Sequence, residues 1–182
     1  MRNRPTAWLS VVLLGAMIAS AVCIPPAASA RPEADQGAAD RAAGDLQAVK
    51  QANEKFYAAL NAMLDGDPTP LEELYWHSDD VIFMGADGSY NVGWKDTYAS
   101  WKRMAALKLG GKVEPAEVKL TVGPGLAVSH NYVVGFHVVD GVREPIKVRV
   151  TSVFRKKGDS WKMSSHHVDL RPSVRDQLKK TR

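Results

Sequence analysis

The chain has 182 residues, of which 24 are basic and 20 acidic, with five histidines and one cysteine, for a formal charge of +4. So mild a surplus, with only small clusters at Arg155-Lys156-Lys157 and Lys179-Lys180, lacks the basic stripe that nucleic-acid binding requires. A lone cysteine excludes an internal disulfide and a cysteine-built metal site.

Residues 1–30 read as an export signal. Arg2 and Arg4 give a positive start, the stretch from Trp8 to about Ile24 is apolar and uncharged, and Pro25-Pro26 precede the A-x-A cleavage pattern Ala28-Ser29-Ala30. The apolar run is short of the ~20 residues of a membrane span, and the prolines before the cleavage pattern disfavour an uncleaved anchor. Lipid attachment at Cys23 is disfavoured by Val22, where Gly or Ala normally stands. The expectation is a mature chain beginning at Arg31, periplasmic or secreted, with no stable membrane insertion. Cleavage removes Cys23, Arg2 and Arg4 and leaves 22 basic against 20 acidic residues, a balance of +2. The remainder is long enough for one well-packed domain.

Residues 31–44 are rich in Ala, Asp and Gly, have no bulky apolar residue and read as a flexible linker. From Leu46 the apolar positions Val49, Phe56, Leu60 and Met63 recur every three or four residues, which predicts a helix ended by Gly66-Asp67-Pro68. Thr69-Pro70-Leu71-Glu72 has the form of a capping box and predicts a short helix to about His77. Val81–Met84 reads as a strand turned by Ala86-Asp87-Gly88-Ser89. Gly93 leads into a third helix, with Trp94, Tyr98, Trp101 and Ala105 on one stripe and Gly110-Gly111 as its stop.

Beyond Gly111 the period changes from helical to alternating. Val118, Leu120 and Val122 mark one strand. Others run from Leu126 to Val139, Glu144 to Arg155 and Ser160 to Leu170, separated by Gly123-Pro124-Gly125, Asp140-Gly141 and Lys157-Gly158-Asp159. Residues 172–182 read as a polar tail. Helices segregated from a contiguous antiparallel sheet give an α+β domain. Its sheet must twist and curl, and helices covering the concave side leave a cone-shaped pocket.

This order, with Trp76–Gly85 (WHSDDVIFMG), the Gly93-Trp94 helix start, Arg149-Val150-Thr151 and Trp161-Lys162-Met163-Ser164-Ser165-His166-His167, resembles the SnoaL-like branch of the nuclear transport factor 2-like superfamily. Its closing hairpin commonly ends His-x-Ser, and Asp169 stands here where Ser is usual. The resemblance covers about 45–171. It implies a curved antiparallel sheet wrapped around N-terminal helices and a homodimer formed through the sheet. The superfamily hosts isomerases, cyclases, dehydratases, binding modules and assembly domains, so fold alone does not select among them.

Strand alternation places Arg149 and Thr151 on one face, and Ser165, His167 and Asp169 on one face. A three-residue loop sets Arg149 opposite His167 and Thr151 opposite Ser165, a register that a slip of one residue reverses. If this patch faces the pocket, His167 can move a proton with Asp169 nearby, and Arg149 and Thr151 can hold a polar ligand atom. The structural alternative is an Arg149–Asp169 pair at the sheet end. His166 points away from His167, which disfavours a metal site. His130 and His137, at odd spacing, face opposite sides; Tyr132 shares a face with His130. Trp76, Tyr98 and Trp101 are either core filler or the wall of an aromatic pocket. Asp80 is a candidate base if desolvation raises its pKa, or else a turn residue.

A carboxylate base with a tyrosine oxyanion hole does not map onto this sequence, and no glycine-rich phosphate cradle is present, so no cofactor is expected. Three functions remain open: binding of a small, partly apolar molecule, cofactor-independent proton transfer by His167 or Asp80, and assembly through the sheet.

Overall fold

The computed structural model describes residues 31–180; the expected export signal lies outside them. Helix α1 runs Arg31–Leu64 and buries Val49, Asn53, Phe56, Tyr57 and Met63 along one side. The segment 31–44, expected as a flexible linker, is the first part of this helix. Its alanines and charged residues favour helix; the absence of bulky apolar residues governs packing, and its described side chains are almost all exposed.

Helix α2 spans Thr69–Leu74 and stops short of His77 because Tyr75 turns extended and Trp76 N donates to Met163 O of the last strand. The expected Thr69 cap is absent. Asp67 Oδ1 instead accepts from Thr69 N at 2.9 Å.

Strands β1 (Ile82–Met84) and β2 (Tyr90–Val92) form a hairpin, and Gly93 opens α3 (Trp94–Ala106) from a φ of 87° that favours glycine. Four long strands follow: β3 (Lys112–Val122), β4 (Leu126–Val139), β5 (Val142–Lys157) and β6 (Ser160–Val168). They form the expected antiparallel meander. The whole sheet has six strands in the order β2-β1-β6-β5-β4-β3, with β1 parallel to β6. Gly135 lies where β3 and β4 press together: a Cβ there would sit 2.0 Å from Lys112 O, at a φ of 140°.

Helices α1 and α3 cover the inner face of the sheet. On β4 the inward residues include Ala127, Ser129, Asn131, Val133 and His137, and on β5 they include Ile146, Val150, Ser152 and Phe154. The core joins these to Phe56, Tyr75, Phe83, Trp101 and Met163. After β6 the chain does not end in a free polar tail. Helix α4 (Pro172–Lys180) folds back and buries Val174.

Candidate functional site

The register between β5 and β6 decides which histidine enters the core. Lys157 pairs with Ser160 and Phe154 with Met163, but Val153 pairs with Ser165, so Ser164 is an extra residue in β6. Such a bulge shifts the side-chain alternation by one. Trp161 and Met163 face inward before it, and His166 faces inward after it. His167 therefore lies opposite Thr151, not Arg149, and is exposed.

Arg149, Thr151, His167 and Asp169 do come together, but on the outer face. Arg149 is 77% exposed and pairs with Asp169 at 2.9 Å, which holds that carboxyl below its ordinary pKa. His130 lies opposite Thr151 on the same outer face, and Tyr132 has the Lys147 ammonium 4.9 Å above its ring. These residues, expected in the pocket, are outside it because the outward phase of β5 is fixed by Phe154, Ser152 and Val150 turning in.

Asp80 is also on the surface. It accepts from Ser78 Oγ at 2.5 Å and pairs with Arg155 at 2.6 Å. These contacts, Ser78 first, lower its pKa, the reverse of the desolvation-driven rise a base would need. Trp76 and Tyr98 are half-buried on the helical side, Tyr98 in a stack with Trp94 at 5.0 Å. Of the three aromatic candidates, Trp101 alone reaches the cavity wall.

Between the helices and the inner face of the sheet lies a cavity of about 80 Å³. Leu60, Met63, Met104, Val133, Ile146 and Val148 contribute to its apolar wall; its polar lining groups are His137, His166 and Arg171. No carboxylate lines it among the described residues.

His166 is enclosed by Phe56, Phe83 and Trp101, with Phe56 4.7 Å away between ring centres. Its Nδ1 meets Ser152 Oγ at 3.0 Å. Burial drives its pKa down to about 3, so it is a neutral hydrogen-bonding group at neutral pH and a poor base.

His137, on β4, stands directly across from Glu144 on β5, with Nε2 3.2 Å from Glu144 Oε2. Burial lowers the His137 pKa, Glu144 opposes that, and Arg171 adds to it. A neutral imidazole beside a carboxylate must carry its proton on the facing nitrogen, so Nε2–H donates to Glu144. Glu144 also accepts from Arg171 Nη2 at 3.1 Å. Its pKa is lowered by hydrogen bonds from Ser173 and then His137. The chain His137–Glu144–Arg171 thus offers one donor-rich, charge-balanced end to an otherwise apolar space.

The odd spacing of His130 and His137 could identify one inward histidine, and the register shows which. Glu144 carried no separate signal, since its role depends on the β4–β5 pairing. Arg171 looked like the edge of a tail, and its place at the cavity follows only from α4 folding back.

The SnoaL-like domain family profile matches residues 49–169. Among solved structures, a candidate dehydratase of the NTF2-like family from Streptomyces avermitilis superposes with a TM-score of 0.62 at 22% identity, over 70% of this chain and 97% of that one. An NTF2-like protein with a cystatin-like fold from Novosphingobium aromaticivorans gives 0.60 at 16% identity, over 80% and 96%. A candidate calcium/calmodulin-dependent protein kinase type II association domain from Thiobacillus denitrificans gives 0.55 at 21%, over 67% and 94%. No curated protein gives a significant match. With the profile spanning most of the chain, this protein belongs to the SnoaL-like domain family, and it shares the fold of NTF2-like proteins.

Proposed function

We propose that this protein is an exported SnoaL-like domain that binds a small, neutral, largely apolar molecule between its helices and the inner face of its sheet. The observation that carries the reading is the cavity wall: apolar throughout except for His137, His166 and Arg171, with no lining carboxylate among the described residues. An apolar body with one hydroxyl or carbonyl suits such a site, because Arg171 can donate to it and His137, whose Nε2–H is held by Glu144, keeps Nδ1 as an acceptor. A carboxylate ligand suits it less, since Glu144 already neutralises Arg171. Export rests on the composition of residues 1–30.

The test uses N-phenyl-1-naphthylamine, a neutral apolar probe whose fluorescence rises on leaving water. Binding to the wild-type chain is expected, with loss in Val148→Phe, which fills the cavity, and no change in Arg149→Ala. Equal binding by Val148→Phe refutes the site.

A second reading, proton transfer, has one observation in its favour: His137 lines the cavity and is paired to Glu144. It moves the acid–base role from His167 and Asp80 to His137, and turnover of any substrate that survived His137→Gln would dismiss it. Assembly as a homodimer is supported by the half-buried apolar Tyr132, Val134, Phe136 and Val153 on the outer face of the sheet. Light scattering that gave a monomer at micromolar concentration would count against that.

A further inference from the structure

The cavity is stoppered by the chain's own C-terminal helix. Val174 of α4 is 2% exposed and lines the cavity directly, and Arg171, three residues earlier, completes that wall. Helix α4 lies beyond the segment matched by the SnoaL-like profile, which ends at residue 169. It is placed over the space that the matched segment encloses.

The polar fastenings of α4 lie at its two ends. Arg171 Nη2 donates to Glu144 and Nη1 to Pro145 O at 3.4 Å, while Arg171 N donates to Ala86 O at 2.6 Å. At the far end Gln177 Nε2 and Lys180 Nζ both reach Asp140 Oδ2 at 3.0 Å, in the exposed turn between β4 and β5. Val174 is the one fully buried residue of α4. The Gln177 and Lys180 latches are exposed and exchange readily for solvent, whereas the sheet beneath is held by continuous backbone ladders. The short link Asp169-Leu170-Arg171 joins the two, and Leu170 is exposed.

The size of the cavity gives the arrangement its consequence. About 80 Å³ is well below the ~150 Å³ of a dry apolar cavity that holds a benzene ring, so a ligand of that size needs Val174 to leave. We propose that α4 is a displaceable stopper: the closed form seen here excludes guests larger than a few atoms, and lifting α4 about residues 169–171 lets the apolar molecule in. The Glu144 carboxylate, shared by Arg171 at the hinge and His137 on the wall, ties the base of the stopper to the cavity lining. This inference rests on the ligand-binding reading above.

Two measurements separate its failure from failure of that reading. Hydrogen exchange on the wild-type chain should show the amides of 175–180 exchanging at least a hundredfold faster than those of β4 and β5; equal protection overturns the stopper whether or not any ligand binds. In a Cys23→Ser background, Asp140→Cys/Gln177→Cys bridged by dibromobimane should bind N-phenyl-1-naphthylamine at least tenfold more weakly than the unbridged double variant. Equal binding by the two forms overturns the stopper and leaves the ligand reading intact. Fast exchange of α4 with no probe bound by either form keeps the movable helix and sinks the ligand reading.

Discussion

His166 gives the sharpest quantitative prediction. Its side chain is buried among Phe56, Phe83 and Trp101 and its pKa lies at about 3, against the ordinary 6.5. Below pH 6.5 the unfolded chain therefore takes up a proton at this position that the folded chain refuses. Proton uptake by the unfolded state means that stability rises with pH across the window from about 3 to 6.5 and is level above it. Integrating the difference, acidification from pH 7 to pH 5 costs about 2 kcal/mol, which for a domain of this size is a fall of roughly 4–8 °C in melting temperature. The assay is urea or thermal unfolding at pH 7, 6 and 5 for the wild type and for His166→Gln, which can still bond to Ser152 but does not titrate. The variant starts less stable, yet its slope between pH 7 and 5 should be shallower by about 2 kcal/mol. Buried His137, whose pKa is also lowered, adds a slope of the same sign to both proteins and cancels in the comparison. Lowered carboxylates such as Asp80 and Glu144 lose their contribution only at more acid pH. Identical slopes would show that His166 is not held neutral in the core.

Other perturbations follow from the same geometry. Deleting Ser164 closes the bulge with Met163 still opposite Phe154 and Ser165 still opposite Val153, so His166 stays inward and His167 outward; a loss below about 3 kcal/mol in denaturant unfolding is expected, and loss of the whole fold would contradict the assigned register. Gly135→Ala drives a Cβ to within 2.0 Å of Lys112 O and should destabilise by about 2 kcal/mol or more, read from the same curves. Arg149→Ala and His167→Ala leave melting temperature and probe binding unchanged within error, because both side chains are exposed on the outer face. Val174→Ala should raise affinity for N-phenyl-1-naphthylamine severalfold by widening the closed cavity, while lowering stability by about 1–2 kcal/mol.

The fold was legible because its determinants are local. Period-3.6 stripes, period-2 strands and the turns at Asp140-Gly141 and Lys157-Gly158-Asp159 set the order of elements, and the quoted segments carried the family. The site was less so, since it hangs on parity. One unpaired residue, Ser164, exchanges His167 for His166, and no feature of the sequence around it marks a bulge in a run that alternates plausibly either way. Glu144 and Arg171 are legible only once β4 has paired with β5 and α4 has folded back. The alanine-rich start of α1 shows the converse: its composition foretold a lack of packing, and that was mistaken for a lack of helix.

The most direct measurement of the central claim is a chemical-shift map of the ¹⁵N-labelled residues 31–182 titrated with N-phenyl-1-naphthylamine. Perturbations should gather on Met63, Trp101, Val133, His137 and Val148, with α4 broadened by exchange. Shifts confined to Tyr132, Arg149 and His167, on the other side of the sheet, would contradict it.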